Sequence, residues 1–438
     1  MAKTERIQNM TKGSPAKLIF TFAIPLMLGN VFQQFYTVVD TAIVGQALGV
    51  NALAALGAAD WLNWLALGLI QGFAQGFSIY MAQRFGAEDH EGLNRSIGAT
   101  ISLSAVISIL TVILSQVAMA PVLRAMNTPE EIIGGAFTYL RIMFAGIPII
   151  MAYNVLASIL RALGDSKTPL YAMVIASILN VGLDLLFVMV FHWGIAGAVV
   201  ATVIAQLFAA LYCLRAVLHV KVIHLKKEYF RLNPEIAKRL LGLGTPVAAQ
   251  NVIIAVGGMV VQSVVNRYGT LFVAGFTATN KLYGILEIAA VSFGYAVTTY
   301  VGQNLGAGLL DRVKKGMHSA TWIALLTSVV ITVLIFGKYG IALFISGTAE
   351  EVSISSQVAI HYLNIMSICL SILYMLHIYR SALMGLGDTI MPMASGIMEF
   401  LMRIGVALFL PLIIGQEGIF YAEVTAWTGA AILLVTTY

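Results

Sequence analysis

Two aspartates stand where a charge is costly. Asp40 and Asp184 each fall inside a long apolar run, and no Lys or Arg lies within one helical turn of either. A charged side chain near the bilayer centre costs roughly 2.5–3.5 kcal/mol or more, so it persists chiefly where it is used. Asn180 precedes Asp184 by one turn on the same helical face. Asn154 and Thr202, in the apolar runs on either side, sit at depths from which they can join the pair. These positions describe a hydrogen-bonded pocket assembled from four helices. Two close carboxyls can share one proton, and the same oxygen-rich cluster suits a cation such as sodium. Both ions stay open at this point, with a purely structural polar network as the plain alternative.

The other ionisable residues in apolar runs carry weaker signals. Glu399 and Arg403 are four apart and read as a mutual pair. Glu287 has Lys281 nearly two turns away, Arg141 needs a partner across the bundle, and Asp60 stands near the outer end of its run. Packing, snorkelling or capping is the plainer account of each of these. Gln34, Tyr36 and Tyr139, with Met27 and Met173, are candidates to line a cavity for bulky amphipathic compounds, because thioethers adapt to irregular ligands. No Gly-x-x-x-x-Gly-Lys-Ser/Thr loop is present to cradle ATP, and the histidines form no ligand-like cluster. Cys213 and Cys369 both lie in apolar runs, which suggests neither a disulfide nor a metal site. The expectation is therefore no enzyme chemistry, no cofactor and no resident metal, with energy drawn from an ion gradient.

Such residues need a scaffold in lipid. The 438 residues are 59% hydrophobic and only 10% charged, against about 25% charged in soluble domains. Mean hydropathy is +0.90. A spanning helix takes about 20 apolar residues, and the runs mark twelve spans: 16–44, 52–80, 96–120, 132–158, 169–190, 195–217, 240–264, 272–300, 317–337, 352–379, 390–412 and 418–437. Continuous runs of this length exclude barrel strands. With the amino terminus inside, the inner segments collect Lys3, Arg6, Lys12, Lys17, Arg84, Arg95, Arg161, Lys167, Lys221, Lys226, Lys227, Lys314, Lys315 and Arg380, whereas the outer loops hold Arg124, Arg267 and Lys338. That bias predicts both termini on the cytoplasmic side of a prokaryotic plasma membrane. The net charge of +5 is thus a topology signal, and no nucleic-acid partner is expected.

The two halves resemble each other at a shift of about 220 residues. Gln83 falls on Gln303 and Gly86-Ala87 on Gly306-Ala307, while ALGDSKTP (162–169) matches GLGDTIMP (385–392). Six spans per half make the repeats parallel, related by an axis along the membrane normal. The expected organisation is an amino-terminal lobe (1–218), a basic linker (219–239) that lies at the inner membrane surface, and a carboxy-terminal lobe (240–438). The glycine-containing motifs after spans 2, 4, 8 and 10 read as helix ends and gating contacts on the inner face.

With these marks in place, the chain resembles multidrug and toxic compound extrusion transporters, and within them the prokaryotic DinF-like branch. The resemblance rests on Pro25, Gln33-Gln34 and Asp40 in span 1, QRFGA (83–87), RALGDSKTP (161–169), Gln303 with Gly306-Ala307, and GLGD (385–388). It implies an all-α membrane protein that acts as a monomer, moving drugs, dyes or other organic cations out against protons or sodium in. In that branch coupling is placed on the first-span and fifth-span aspartates, which here are Asp40 and Asp184, with Asn180, Asn154 and Thr202 around them. The other bacterial branch relies on acids in the carboxy-terminal lobe, yet the tenth span (352–379) contains no Asp or Glu. Proton coupling is the expectation and sodium coupling the alternative. A flippase of lipids or lipid-linked sugars, found in the wider superfamily, is the rival function.

Overall fold

The computed structural model describes residues 7–125, 128–335 and 349–438. Lys3, Arg6 and Lys338, used above for orientation, lie outside those residues, as do positions 336–337 of the ninth expected span.

Long apolar runs become long helices because lipid offers no partner for an unpaired backbone group. Helices α1 (Pro15–Leu48), α2 (Val50–Gly86) and α3 (His90–Ala125) cross in single pieces. The fourth crossing is a pair, α4 (Glu130–Ala145) and α5 (Ile147–Ala162), bent by 49°. Helix α6 (Lys167–Asp184) widens into a π-helical turn, Leu185–Val190, and α7 (Gly194–Leu218) closes the first half. The second half follows the same plan with α8 (Pro234–Val265), α9 (Thr270–Gly306) and α10 (Leu310–Ile335). Another bent pair comes next, α11 (Ala349–Ile368) and α12 (Leu370–Leu386), at 51°. Helix α13 (Ile390–Phe409), the short α14 (Pro411–Ile414) and α15 (Tyr421–Thr437) complete it. Taking each bent pair as one crossing yields the twelve spans read from the sequence.

The repeat is visible in the breaks. The first bend falls at Gly146, where a Cβ would press to 2.7 Å from Val203 of α7, and Pro148 follows it. The second falls at Cys369, the position that the internal repeat places opposite. The helices are apolar on their outer faces as well as their inner ones: Val117, Leu334, Leu412 and Ile413 are all largely exposed. That is the signature of helices whose outer face meets lipid rather than water.

Each half has its own core, and the cores borrow from each other. Phe77, Phe144 and Leu160 anchor the first, while Phe293, Tyr300, Tyr362 and Trp427 anchor the second. Met10, Leu18, Ile19 and Phe22, from the start of the chain, pack in the second core. Leu240, near the start of α8, packs in the first. The halves therefore exchange the first turns of their leading helices. The segment expected as the linker is helical from Pro234, capped by Asn233 Oδ1, which accepts from the N–H groups of Glu235 and Ile236. Residues before it are held on α3: Asn94 Nδ2 donates to Val222 O at 2.9 Å, and Ser102 Oγ to Phe230 O at 2.7 Å.

Candidate functional site

Helix α1 and the end of α6 bring Asp40 and Asp184 together. Their carboxyl groups lie within hydrogen-bonding reach of each other. Asp184 is fully buried. One oxygen of each, Asp40 Oδ1 and Asp184 Oδ1, is buried with no hydrogen-bond partner among the described residues. Among the described residues, the charges that act on the pair are the two carboxylates themselves and Asp60, and no cation does so. A buried acceptor left without a donor costs about 1–3 kcal/mol, so this arrangement asks for a proton or a cation.

Asn180 and Thr202 stand against the pair. The Asn180 amide donates to Thr202 Oγ1 at 3.3 Å in one orientation, and in the turned orientation to Asp184 Oδ2 at 3.2 Å. Asn154 does not reach them: its Nδ2 donates to Ile150 O of its own helix at 2.8 Å. The π-helical turn begins immediately after Asp184, with Phe191 N–H donating to Leu186 O at 2.9 Å. Single π turns recur at functional positions because they re-aim side chains within an otherwise regular helix.

The cavity candidates divide. Tyr36 and Met173 line a narrow cavity together with Ser177, Asn180, Thr202 and Gln206. No local spacing in the sequence marks Gln206, whose Oε1 is buried without a partner among the described residues. Tyr139 packs beside Val44 and Val188, near Asp40. Gln34 instead faces the second half, its Nε2 lying 3.5 Å from where a Cβ on Gly284 would sit. Met27 packs against the second core.

The ionisable side chains inside the second-half bundle, Glu287, Arg380, Glu399, Arg403 and Glu423, are of a different kind, because each is paired. Glu399 is bonded to Arg380 of α12, and Arg403 lies 3.7 Å from it. Arg403 in turn bonds Glu423 of α15 at 2.8 Å. This corrects two expectations. Arg380 is a buried residue of α12 rather than an inner-loop cation, and it, not Arg403 alone, answers Glu399. Glu287 is partnered by His377 at 3.3 Å, while Lys281 acts on Asp60 across the halves. Arg141 is exposed and makes no ion pair among the described residues.

One end of the molecule is shut by a symmetric exchange. Gln83 Nε2 donates to Gly385 O at 3.0 Å, and Gln303 Nε2 donates to Ala162 O at 2.8 Å. The repeat makes Gln83 the counterpart of Gln303, and Ala162 the counterpart of Gly385. Each half's glutamine thus grips the other half's helix end. Gly86 and Gly306 end α2 and α9 at this crossing, where a Cβ on either would collide with the carbonyl of Gln303 or Gln83. Asp165 and Asp388 cap the following helices, accepting from the N–H groups of Thr168 and Met391. Above this crossing, Gly68, Gly72 and Gly76 of α2 press directly on Asn251, Ala248 and Gly244 of α8. Small residues at four-residue spacing let transmembrane helices approach backbone to backbone.

A membrane carrier of two homologous halves, closed at one end and holding an unneutralised acid pair, is the class that this geometry defines. The comparisons with known proteins agree. The MatE family model matches residues 25–186 and 246–409, one stretch in each half. The probable multidrug resistance protein YpnP of Bacillus subtilis is 36% identical over 340 residues, 77% of this chain and 76% of that protein. A transporter of the MOP superfamily from Pyrococcus furiosus superposes with a TM-score of 0.92 at 25% identity, covering 100% of this chain and 98% of the other. That protein is described as having a binding pocket of reversed polarity that suggests a different function. A multidrug resistance MATE transporter in an outward-facing conformation gives 0.90 at 25% identity, covering 99% and 96%. The chain belongs to the MatE family, and it is a secondary active transporter rather than an enzyme.

Proposed function

We propose that this protein is a proton-coupled antiporter that exports drugs, dyes and other amphipathic organic compounds by alternating access. The observation that carries the reading is the Asp40–Asp184 contact, in which each carboxyl keeps a buried oxygen without a donor. One shared proton supplies the missing donor. Its departure leaves two adjacent anions in an apolar bundle, which disfavours this packing relative to another. A group that binds its proton differently in two conformations couples them to the gradient.

The paired acids of the second half support placing coupling in the first, as in the DinF-like branch, with Asn180 and Thr202 orienting the pair. The moving bodies in this reading are the lobes 1–218 and 240–438, joined by 219–239. The protein works as a monomer in a prokaryotic plasma membrane with both termini cytoplasmic. The closed end with Gln83 and Gln303 is then the cytoplasmic gate. Sodium remains the second reading, because Asp40, Asp184 and Thr202 offer oxygens to a cation.

Dye efflux from proteoliposomes under separately imposed proton and sodium gradients tests this. Cationic and anionic dyes are both included, since the Pyrococcus relative is described with reversed pocket polarity. Uphill export of a cationic dye under the proton gradient alone is expected. Export under sodium alone overturns the proton assignment, and translocation of a lipid-linked sugar without dye export overturns drug export.

A further inference from the structure

The symmetric gate has two cradles, and the described residues fill only one. On one side, Met10 N–H donates to Gln303 Oε1 at 2.9 Å, and Met10 O accepts from Asn304 Nδ2 at 3.1 Å. Arg312 donates to Gly13 O at 3.0 Å, and Gln8 N–H to Gly164 O at 3.3 Å. Residues 8–13 thus lie across both halves and pin the gate. On the other side stand the counterparts Tyr80, Gln83, Arg84 and Ala87, and no described segment lies over them. The stretch that precedes α8 is held on α3 instead.

What this leaves is a cavity of about 430 Å³ lined by Tyr80, Gln83, Arg84, Glu235, Arg239 and Gly306. It spans the end of α2 in the first half and the start of α8 in the second. Arg84 is oriented by Tyr80 Oη at 2.6 Å and Asp89 Oδ2 at 2.8 Å. Arg239 makes no hydrogen bond or ion pair among the described residues, and neither does the Glu235 carboxylate. The two are four apart on α8, a spacing at which Glu and Arg ordinarily pair, yet they do not pair here. The wall therefore presents a guanidinium and a carboxylate, both unengaged, beside a second guanidinium.

We propose that this cradle binds the phosphoethanolamine headgroup of a membrane lipid. Arg84 and Arg239 take the phosphate, whose oxygens accept from the planar fork of guanidinium donors, and Glu235 takes the ammonium. A bare anion would meet Glu235 and Asp89, whereas a zwitterion matches both signs. Helix ends at the cytoplasmic surface are where such headgroup pockets form, and that placement rests on the orientation proposed above. The bound headgroup ties α2 to α8, doing on this side what residues 8–13 do on the other.

The test is lipid binding to the purified full-length protein by native mass spectrometry, with phosphatidylethanolamine, phosphatidylcholine, phosphatidylglycerol and soluble phosphoethanolamine as probes. Wild type should prefer phosphatidylethanolamine. Arg239→Gln should weaken that binding about tenfold, and Glu235→Gln should erase the preference over phosphatidylcholine while retaining phosphate binding. Nitroxide labels on Glu88→Cys and Lys314→Cys should report a narrower gate distance when the lipid is bound. Equal binding of all three lipids, unchanged in Arg239→Gln, overturns the proposal. Arg239-dependent preference for phosphatidylglycerol overturns the role of Glu235, and comparable affinity for soluble phosphoethanolamine overturns the membrane as the source. None of these readouts requires transport, so a failure of the antiport reading is seen separately.

Discussion

Asp40 Oδ1 and Asp184 Oδ1 are both buried, both lack a donor, and belong to carboxyls that lie within hydrogen-bonding reach of each other. Replacing either residue with Asn keeps its size and removes its titration. Asp40→Asn and Asp184→Asn should each fold and still bind substrate within a few-fold of wild type. Uphill efflux should fall to the background of empty liposomes. Substrate-driven proton movement in liposomes holding equal amounts of each variant is the measurement, and normal exchange in both variants would rule out this pair.

The second-half network predicts the opposite pattern. Glu399→Gln strips the partner from Arg380 and loosens Arg403. Breaking a buried ion pair from one side typically costs about 3–5 kcal/mol, so this variant should lose thermal stability and expression before it loses proton coupling. Glu287→Gln, whose partner is His377, should leave the proton-to-substrate ratio unchanged. A coupling defect in well-folded Glu287→Gln would relocate the site.

At the gate, Gly86→Val or Gly306→Val puts a side chain into the carbonyl of the opposing helix. Neither variant can close this end as wild type does. Cysteine labelling from the side this end faces should rise at neighbouring positions, and efflux should drop at least tenfold. Gln83→Ala and Gln303→Ala should act in the same direction but more weakly: about twofold to fivefold for Gln83→Ala, which removes one hydrogen bond worth about 1 kcal/mol, and more for Gln303→Ala, which also frees Met10 N–H. Unaltered labelling in the valine variants would show that the closed end is not the gate.

Tyr36 and Met173 share a cavity wall with Asn180 and Thr202, whereas Met27 packs in the second core. Ala substitution at Tyr36 or Met173 should reorder the ranking of dyes by transport rate. Met27→Ala should lower the melting temperature with the ranking unchanged. A panel of six or so dyes of different size and charge separates these outcomes.

Much of this was legible before any coordinates, for a physical reason. Lipid forces each crossing to be a long apolar helix, so spans are written as continuous runs, and a duplicated half repeats its helix-end residues. Asp40 and Asp184 were legible because an isolated acid in such a run has little other reason to be there. Depth, however, is not azimuth: Asn154 lies in the adjacent span but turns to its own helix, bonding Ile150 O. Arg380 misled because it precedes a Gly-Leu-Gly-Asp turn, where a cation usually snorkels to the surface. Instead α12 runs on to Leu386 and buries it against Glu399. The His377–Glu287 contact joins residues 90 apart, and no local pattern encodes it. The glycines at 68, 72 and 76 were visible as a spacing and passed over.

The crossing of Gly86 and Gly306 bears on leakage. Its contact is main chain against main chain, flanked by the Gln83 and Gln303 carboxamides, each of which donates to the opposite half. Protons cross a membrane protein along files of water, and main chain packed against main chain leaves no room for one at the point of contact. A seam closed in this way shuts out water as well as a bulky dye. An exchanger that spends a membrane gradient would otherwise short-circuit it through a channel far too thin for any drug to pass.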